Sequence, residues 1–339
     1  MSHLRRRVIA AVVAAAVAIL LAGCVASSSP SSSSGRLALS GDLAAHDPDL
    51  VAGENGSPWY VYSTGDASVG DGNIEIRTSS DGHDWKLAGT VWKKKPAWLS
   101  TAVPGVSNLW APELFHHGGT WYLYYAASTF GSNRSVIGLA TNTTLDQQSS
   151  KYRWVDRGPV IKSVPSDDYN AIDPTIIDDG SGQGWMAFGS FWGGIQLVKI
   201  AWPSGKLSSP ATPPQQIAYR GSAPDAIEAS TLIHHGGYYY LIVSLDSCCQ
   251  GAASTYNMAM GRSRTIDGQY VGKTGYPLLD DGTSPLLATK GREVGPGGES
   301  YSNGYLAWHF YDRDVGGATT LAIQKLRWTP SGWPTLTTP

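Results

Sequence analysis

Short apolar and alternating runs, rather than helical periodicity, mark the chain from about residue 40 onward. Gly, Asp-Gly and Asn-Gly separate these runs, and such residues form tight turns. The pattern predicts an all-β fold of many short strands.

One strand–turn–strand unit recurs along the chain. Its clearest copies are residues 113–125 (ELFHHGGTWYLYY) and 231–243 (TLIHHGGYYYLIV). All copies can be aligned on two adjacent residues of the first strand that are typically apolar, such as Leu114-Phe115 and Leu232-Ile233. In this alignment the strands begin at 47, 111, 173, 229 and 297, at intervals of 56 to 68 residues. Five units of this length, each with room for four strands, predict a five-bladed β-propeller.

The N-terminus has the features of an export signal. Three arginines (5–7) precede an apolar run (8–22) that is shorter than the roughly 20 residues of a membrane-spanning helix. The run ends in Leu-Ala-Gly-Cys24, which looks like the lipobox of bacterial lipoproteins, and an ordinary signal with a chance cysteine is the alternative. We predict a signal peptide (1–23), a lipid-anchored serine-rich tether (24–40) and a propeller (41–339).

Composition narrows the choice of partners. The net charge is −2 without a basic stripe, so nucleic acid is not an expected partner. The chain has 13 Trp and 17 Tyr against 5 Phe, and Trp and Tyr side chains offer a flat apolar face and a polar edge to a sugar ring.

With Cys24 lipidated, only the adjacent Cys248 and Cys249 remain. We expect a disulfide between them in an oxidising compartment, with two buried thiols as the alternative.

Acidic residues recur where the repeated strand begins. The innermost strand of a propeller blade lines the central channel, and this register carries Asp47, Ala111, Asp173, Ala229 and Gly297. Glu228 directly precedes Ala229. Asp before Pro is a common turn former, but three acids at related places favour a site at one channel mouth.

The positions two residues after these strand starts hold Asp49, Glu113, Thr175, Thr231 and Glu299. We interpret Glu113 as structural.

Clustered carboxylates among Trp and Tyr, without a metal or thiol motif, indicate glycosidic bond hydrolysis. That reaction needs one protonated acid for the leaving oxygen and one carboxylate for water or direct attack. A third carboxylate near the acid raises the pKa of that acid.

Seven motifs, in this order and spacing, resemble glycoside hydrolase family 43, in particular its arabinanases, over residues 46 to 333. They are His46-Asp47-Pro48, Asn108-Leu-Trp-Ala-Pro-Glu113, Asn170-Ala-Ile-Asp173-Pro174, Gly189-Ser-Phe-Trp-Gly-Gly-Ile195, Ala226-Ile-Glu228-Ala229, Cys248-Cys249-Gln-Gly251 and Gly261-Arg-Ser263.

The resemblance implies inverting hydrolysis of α-1,5-linked arabinan. Asp47 would be the general base and Glu228 the general acid, while Asp173 would tune the pKa of Glu228. The candidates for sugar contacts are Trp110, Asn170, Ser190, Phe191 and Trp192. His309 is interpreted as a core histidine.

The resemblance implies no cofactor for the chemistry, although many family members hold a channel metal through the His of Gly-Pro-Gly-His-Asn. This chain has Gly298 at that His position. A calcium ion held through water and carbonyl groups is the remaining alternative.

We therefore expect an endo-acting, monomeric, lipid-anchored arabinanase. An exo-acting arabinofuranosidase or β-xylosidase on the same fold is the first alternative. A fructan-cleaving propeller would carry a Trp-Met-Asn-Asp-Pro-like motif, which Ala45-His46-Asp47-Pro48 lacks. A non-catalytic arabinan-binding lipoprotein would be favoured by loss of one of the three acids, and all three are present.

Overall fold

The computed structural model describes residues 35–221 and 224–336. The predicted signal peptide, Cys24 and most of the predicted tether lie outside these residues. Within them, no helix combines the length and apolar content needed to cross a bilayer.

Five sheets of consecutive strands form the blades of a β-propeller. Blade 1 holds β1 (Ser40–Gly41), β2 (Asp49–Val51), β3 (Trp59–Ser63), β4 (Glu75–Ser79) and β5 (Asp84–Thr90). Blade 2 holds β6 (Leu109–His117), β7 (Thr120–Ala127), β8 (Ser135–Asn142) and β9 (Val155–Ser163). Blade 3 holds β10 (Thr175–Asp178), β11 (Gly184–Phe188), β12 (Ile195–Ala201), β13 (Lys206–Leu207) and β14 (Gln215–Ala218).

Blade 4 holds β15 (Ile227–His235), β16 (Tyr238–Leu245), β17 (Asn257–Ser263) and β18 (Ser284–Leu287), and blade 5 holds β19 (Glu293–Ser302), β20 (Tyr305–Asp312) and β21 (Ala318–Lys325). A separate ribbon pairs β22 (Arg327–Trp328) with β23 (Pro334–Thr335). The helices in the described residues are one α-helical turn, α1 (Leu99–Ala102), and 3₁₀ turns at Gly70–Gly72, Gly251–Ala253, Leu278–Asp280 and Arg313–Val315.

The N-terminal end of the described chain closes the ring. Arg36 bridges Gln324, and the N–H of Leu37 donates to the carbonyl of Ile323 at 3.0 Å, which adds an edge to blade 5. β1 then pairs in parallel with β5 of blade 1. The predicted tether (24–40) was therefore too long, because residues from 36 onward already belong to the propeller.

Five buried apolar clusters fill the five interfaces between neighbouring blades. Successive side chains of a strand point to opposite faces, and both faces of a blade meet a neighbour. The strands are therefore apolar on both faces, which explains the continuous apolar runs of the sequence. Each cluster draws on two neighbouring blades, for example Ile76 and Tyr125, Tyr124 and Phe188, Leu197 and Leu241, Ile242 and Trp308, and Val61 and Leu321.

One backbone feature repeats where each inner strand begins. A residue with positive φ occurs in every blade, namely Asp47 (47°), Ala111 (38°), Asp173 (56°), Ala229 (51°) and Gly298 (61°). In blades 2, 4 and 5 this residue and the next one oppose a single residue of the second strand, which is a β-bulge. Non-glycine residues in this conformation cost roughly 1–3 kcal/mol each and persist where surrounding contacts impose them.

The fifth blade corrects the predicted register by one residue. Its positive-φ residue is Gly298, not Gly297, and the residue two positions later is Ser300, not Glu299. Ser300 pairs with Ala307 of the second strand, as Glu113 pairs with Tyr124 in blade 2. The apolar pair that served for alignment is incomplete in blade 5, where Tyr301 and Ser302 stand in place of Leu232 and Ile233 of blade 4. The alignment therefore matched Tyr301 to Ile233 and shifted the register by one residue.

Polar side chains two residues after the positive-φ residues bridge neighbouring blades. Asp49 Oδ2 accepts from the N–H of Leu114 at 2.7 Å, and Glu113 Oε1 accepts from the N–H of Ile176 at 2.8 Å. Ser300 Oγ accepts from the N–H of Leu50 at 3.0 Å. The interpretation of Glu113 as structural is confirmed.

Candidate active site

Asp47 stands at the positive-φ position of blade 1, between two histidines and a threonine. Thr64 Oγ1 donates to Asp47 Oδ2 at 2.6 Å, and His46 Nδ1 lies 2.8 Å from the same oxygen. The N–H of Asp47 donates to Nδ1 of His309 at 3.1 Å, so His309 carries its proton on Nε2. His309 is fully buried, but it contacts the site directly and is not only a core residue.

These contacts favour an ionised Asp47. Burial works to raise its pKa, but the charge and hydrogen bond of His46 and the Thr64 hydroxyl outweigh burial and lower the pKa to about 2. For His46, burial lowers the pKa, whereas the charges of Asp47 and Glu228 raise it further than burial lowers it. Asp47 is therefore equipped to accept a proton from water.

Glu228 is the residue before the positive-φ position of blade 4, and its environment is the opposite. Its carboxyl is buried and accepts a hydrogen bond from Ser190 Oγ at 2.6 Å. Burial raises the pKa of Glu228 and the charge of Asp47 adds to this rise, while hydrogen bonds from Ser190 and Tyr256 oppose it. The net effect is a raised pKa, as a proton donor requires.

Asp173 stands at the positive-φ position of blade 3. Its Oδ2 accepts from the N–H of Ala229 at 3.1 Å, which ties it to the strand that carries Glu228. Burial and the charges of Glu228 and Asp47 raise the pKa of Asp173 well above its ordinary range. The structure thus brings the three predicted carboxyls together, with Asp173 bonded next to Glu228.

The predicted sugar-contact residues differ in exposure. Trp110 directly precedes Ala111 of blade 2 and is half-buried, as is Phe191 on the loop between β11 and β12. Trp192 is 38% exposed. Asn170 is buried, and its Oδ1 accepts from Ser135 at 2.6 Å, so this amide oxygen is engaged inside the protein.

Ser190, which was also predicted to contact sugar, donates a hydrogen bond to the acid Glu228. Its loop is held close to the site because the N–H of Phe191 donates to the carbonyl of Ile227 at 3.1 Å. The loop packs tightly: a Cβ on Gly194 would lie 2.3 Å from the carbonyl oxygen of Ala218.

The paired cysteines are linked to Asp47 by a chain of polar contacts. Cys248 and Cys249 form a disulfide. The N–H of Cys249 donates to the hydroxyl of Tyr311 at 2.7 Å, and this hydroxyl lies 2.9 Å from Nε2 of His46. The disulfide loop therefore supports Asp47 through Tyr311 and His46.

Sequence reasoning missed several partners of the catalytic carboxyls. Thr64 follows β3 and Tyr311 lies near the end of β20, each the second strand of its blade, and Tyr256 lies in the loop before β17. All three fall beyond the residues that the repeat aligns. Their only sequence signal was closeness to the quoted motifs, as with Tyr256 after Cys248-Cys249-Gln-Gly251.

The sequence profile of glycosyl hydrolases family 43 matches residues 39–334. The chain belongs to this family. It is 41% identical to the extracellular endo-alpha-(1->5)-L-arabinanase 1 of Bacillus subtilis, over 85% of this chain and 86% of that protein. It is 39% identical to an extracellular exo-alpha-(1->5)-L-arabinofuranosidase of Cellvibrio japonicus, over 85% of each.

A solved structure with a bound ligand is also similar. The alpha-L-arabinanase of Cellvibrio cellulosa complexed with arabinohexaose matches with a TM-score of 0.80 and 38% identity, over 87% of this chain and 95% of that chain.

The channel metal that family 43 implies does not fit the residues present here. Gly298 replaces the ligand, and a Cβ at this position would lie 2.5 Å from Asp47 Oδ1 and 2.8 Å from the ring of His309. The cavity beneath the carboxyls has a volume of about 30 Å³, which is room for about two waters.

The spacing of ligand atoms agrees with this. Calcium ligands at 2.3–2.6 Å lie within about 5 Å of one another. Among the described residues that line this cavity, no three carboxylate or imidazole ligand atoms lie within 4.8 Å of one another. In the close group of His46, Asp47 and His309, the Asp47 carboxylate and Tyr311 engage the two ring nitrogens of His46, and the Asp47 main chain engages Nδ1 of His309. The fourth nitrogen, Nε2 of His309, carries the proton of that ring and is buried without a hydrogen-bond partner.

Proposed function

We propose that this protein is an arabinanase that hydrolyses α-1,5-linked L-arabinofuranosyl chains inside the polymer. The observation that carries the proposal is the opposite environment of two neighbouring carboxyls, with Asp47 held by an imidazole and a hydroxyl and Glu228 buried against two hydroxyls. The similarity to arabinan-cleaving members of family 43 over most of the chain supports the substrate.

The proposed reaction is a single displacement. Asp47 takes a proton from water as the water oxygen bonds to the anomeric carbon. The bond from that carbon to the glycosidic oxygen breaks, and Glu228 gives its proton to the departing oxygen. The anomeric configuration inverts, and the chain needs no cofactor for these steps. Such a mechanism requires the two carboxyls to lie about 6.5–9.5 Å apart.

Exchange of each carboxyl for an amide tests these roles. Asp47→Asn and Glu228→Gln should each lower kcat on linear arabinan about 10²- to 10⁴-fold, the usual contribution of general acid–base catalysis. An aryl arabinofuranoside with a good leaving group should rescue Glu228→Gln far more than Asp47→Asn, because only protonation of the leaving group becomes dispensable. Exposed Glu54 provides the control Glu54→Gln. If Asp47→Asn or Glu228→Gln kept more than about a tenth of the wild-type rate, the role assigned to that residue would be contradicted. Retention of the anomeric configuration in the first product, measured by NMR, would contradict inversion.

An exo-acting arabinofuranosidase is the second candidate, because the exo-acting relative is nearly as similar as the endo-acting one. Endo action should lower the viscosity of linear arabinan long before reducing ends accumulate. Arabinose as the sole early product would instead establish exo action.

We further propose that the protein is exported and held at the cell envelope by lipid on Cys24. The lipobox-like Leu-Ala-Gly-Cys24 and the extracellular relatives support this. Wild type should enter the detergent phase on phase partitioning, whereas Cys24→Ser should remain in the aqueous phase. Aqueous wild-type protein would refute the anchor.

A further inference from the structure

A ring of five residues lies directly beneath the catalytic carboxyls. Each follows the positive-φ residue of its blade and lines the cavity, and they are Pro48, Pro112, Pro174, Ser230 and Glu299. The three prolines place neither an N–H nor a polar side chain in this ring. Glu299 is the member of this ring with an ionisable side chain.

The carboxyl of Glu299 is only half satisfied by protein atoms. Its Oε2 accepts from Ser244 Oγ at 2.8 Å, and the same Oγ accepts from the N–H of Gly298 at 3.0 Å. Oε1 is buried without a protein hydrogen-bond partner, and so is the hydroxyl of Ser230. Glu299 is 6% exposed and Ser230 4% exposed. A buried carboxylate with one hydrogen bond is costly unless it gains a proton or a cation.

The cavity favours the proton over the cation. About 30 Å³ holds about two waters, which can satisfy Glu299 Oε1 and Ser230 Oγ. A calcium ion needs six to eight oxygen ligands, and the cavity offers neither the room for a hydrated ion nor a compact set of carboxylates.

We propose that Glu299 is a positioning residue that keeps a proton at neutral pH and, together with cavity water, forms a neutral support beneath the catalytic carboxyls in place of a channel cation. An ionised group here would add negative charge below Asp47 and Glu228. A neutral one leaves Asp47 as the ionised carboxyl of the site. The catalytic part of this inference rests on the proposed function.

Electrostatics support the geometry. Burial raises the pKa of Glu299 to about 8, the Ser244 hydroxyl works against the rise, and the charges of Asp47 and Glu228 add to it. The ionisable groups that interact with Glu299 from the neighbouring strands are Asp47, Asp173, Glu228 and Tyr256.

Stability against pH provides a test that does not depend on activity. The ordinary pKa of Glu is 4.5, and that of folded Glu299 is about 8. Because the folded state binds this proton more tightly, wild type loses stability as pH rises through this window. Glu299→Gln does not titrate, so its melting temperature relative to wild type should rise between about pH 5 and pH 8 and then level off. A constant difference would overturn the proposal.

Calcium and kinetics complete the experiment. Calcium or a chelator should leave the melting temperature of wild type unchanged, and a calcium-dependent rise that Glu299→Gln lacks would overturn the proposal. Glu299→Ala should have a kcat at least about tenfold below that of Glu299→Gln, because only the amide keeps the neutral polar support. Equal kcat values for Glu299→Ala and Glu299→Gln would contradict the positioning role. If no arabinan were cleaved at all, the proposed function would fail. The two melting experiments would still show whether Glu299 keeps its proton.

Discussion

Substitution of alanine for Gly298 would show whether the free space beside Asp47 is required for catalysis. The added Cβ would lie 2.5 Å from Asp47 Oδ1 and 2.8 Å from the ring of His309, closer than real Cβ contacts. His309 is fully buried and stacks on His46, with ring centroids 3.9 Å apart. The carboxylate of Asp47 is therefore the group that we expect to move.

The size of the effect follows from this contact. An ordinary van der Waals contact begins at 3.4 Å, so Asp47 Oδ1 must retreat by most of an ångström. Misplacement of a reacting group by about 1 Å costs up to about 10²-fold in rate. We expect kcat on linear arabinan to fall about 10- to 100-fold. Alanine at a left-handed position also costs about 1–2 kcal/mol of stability, which is a few degrees in melting temperature.

Gly304 offers a matched control on the same blade. It has a φ of 86° and lies in the turn between β19 and β20, where an added Cβ would meet no other atom within 4 Å. Gly304→Ala should show the same loss of melting temperature with unchanged kcat. A kcat for Gly298→Ala within about twofold of wild type would refute the steric reasoning, and an equal loss of kcat in Gly304→Ala would assign the effect to backbone strain.

Two further predictions concern the supports of the base. Thr64→Val removes a hydrogen bond that stabilises ionised Asp47, so the pKa of Asp47 should rise and the acid limb of kcat/KM should move to higher pH. Unfolding free energy should fall by about 1–3 kcal/mol, because a buried N–H also loses its acceptor; an unmoved acid limb would contradict this role. When the unfolded protein is alkylated without reductant, mass spectrometry should show Cys248 and Cys249 unmodified. Two alkylated cysteines would indicate free thiols instead.

The blades could be predicted from sequence because each repeats the same burial problem. Both faces of a blade meet apolar neighbours, so the repeat records strand positions even where few residues are identical. The place of Asp47 and Asp173 followed directly from this repeat, and their backbone conformation is shared with Ala111 and Ala229.

The register of blade 5 and the partners of the carboxyls could not be predicted in this way. Blade 5 has Ser302 where blade 4 has the apolar Ile233, so its apolar pattern fixes the position of Gly298 only to within one residue. Thr64 follows the second strand of blade 1 and Tyr256 lies in a loop of blade 4. The positions of both depend on how the chain turns rather than on the repeat. Glu299 was assigned to the wrong ring for the same reason as Gly298, although its carboxyl distinguishes it from the prolines of blades 1 to 3 and the serine of blade 4.

The chemistry of the site arises from side chains that break the fivefold repeat. Asp47 and Ala229 have the same backbone conformation, yet only Asp47 has a carboxyl with an imidazole 2.8 Å away. Glu228 occupies in blade 4 the place that His46 occupies in blade 1, one residue before the positive-φ position. Hydroxyl donors around Glu228 do not overcome the effect of burial on its pKa, whereas the charge of His46 helps to overcome that effect at Asp47. The propeller therefore brings the two carboxyls to one mouth, and the kind of donor beside each carboxyl decides which one keeps its proton.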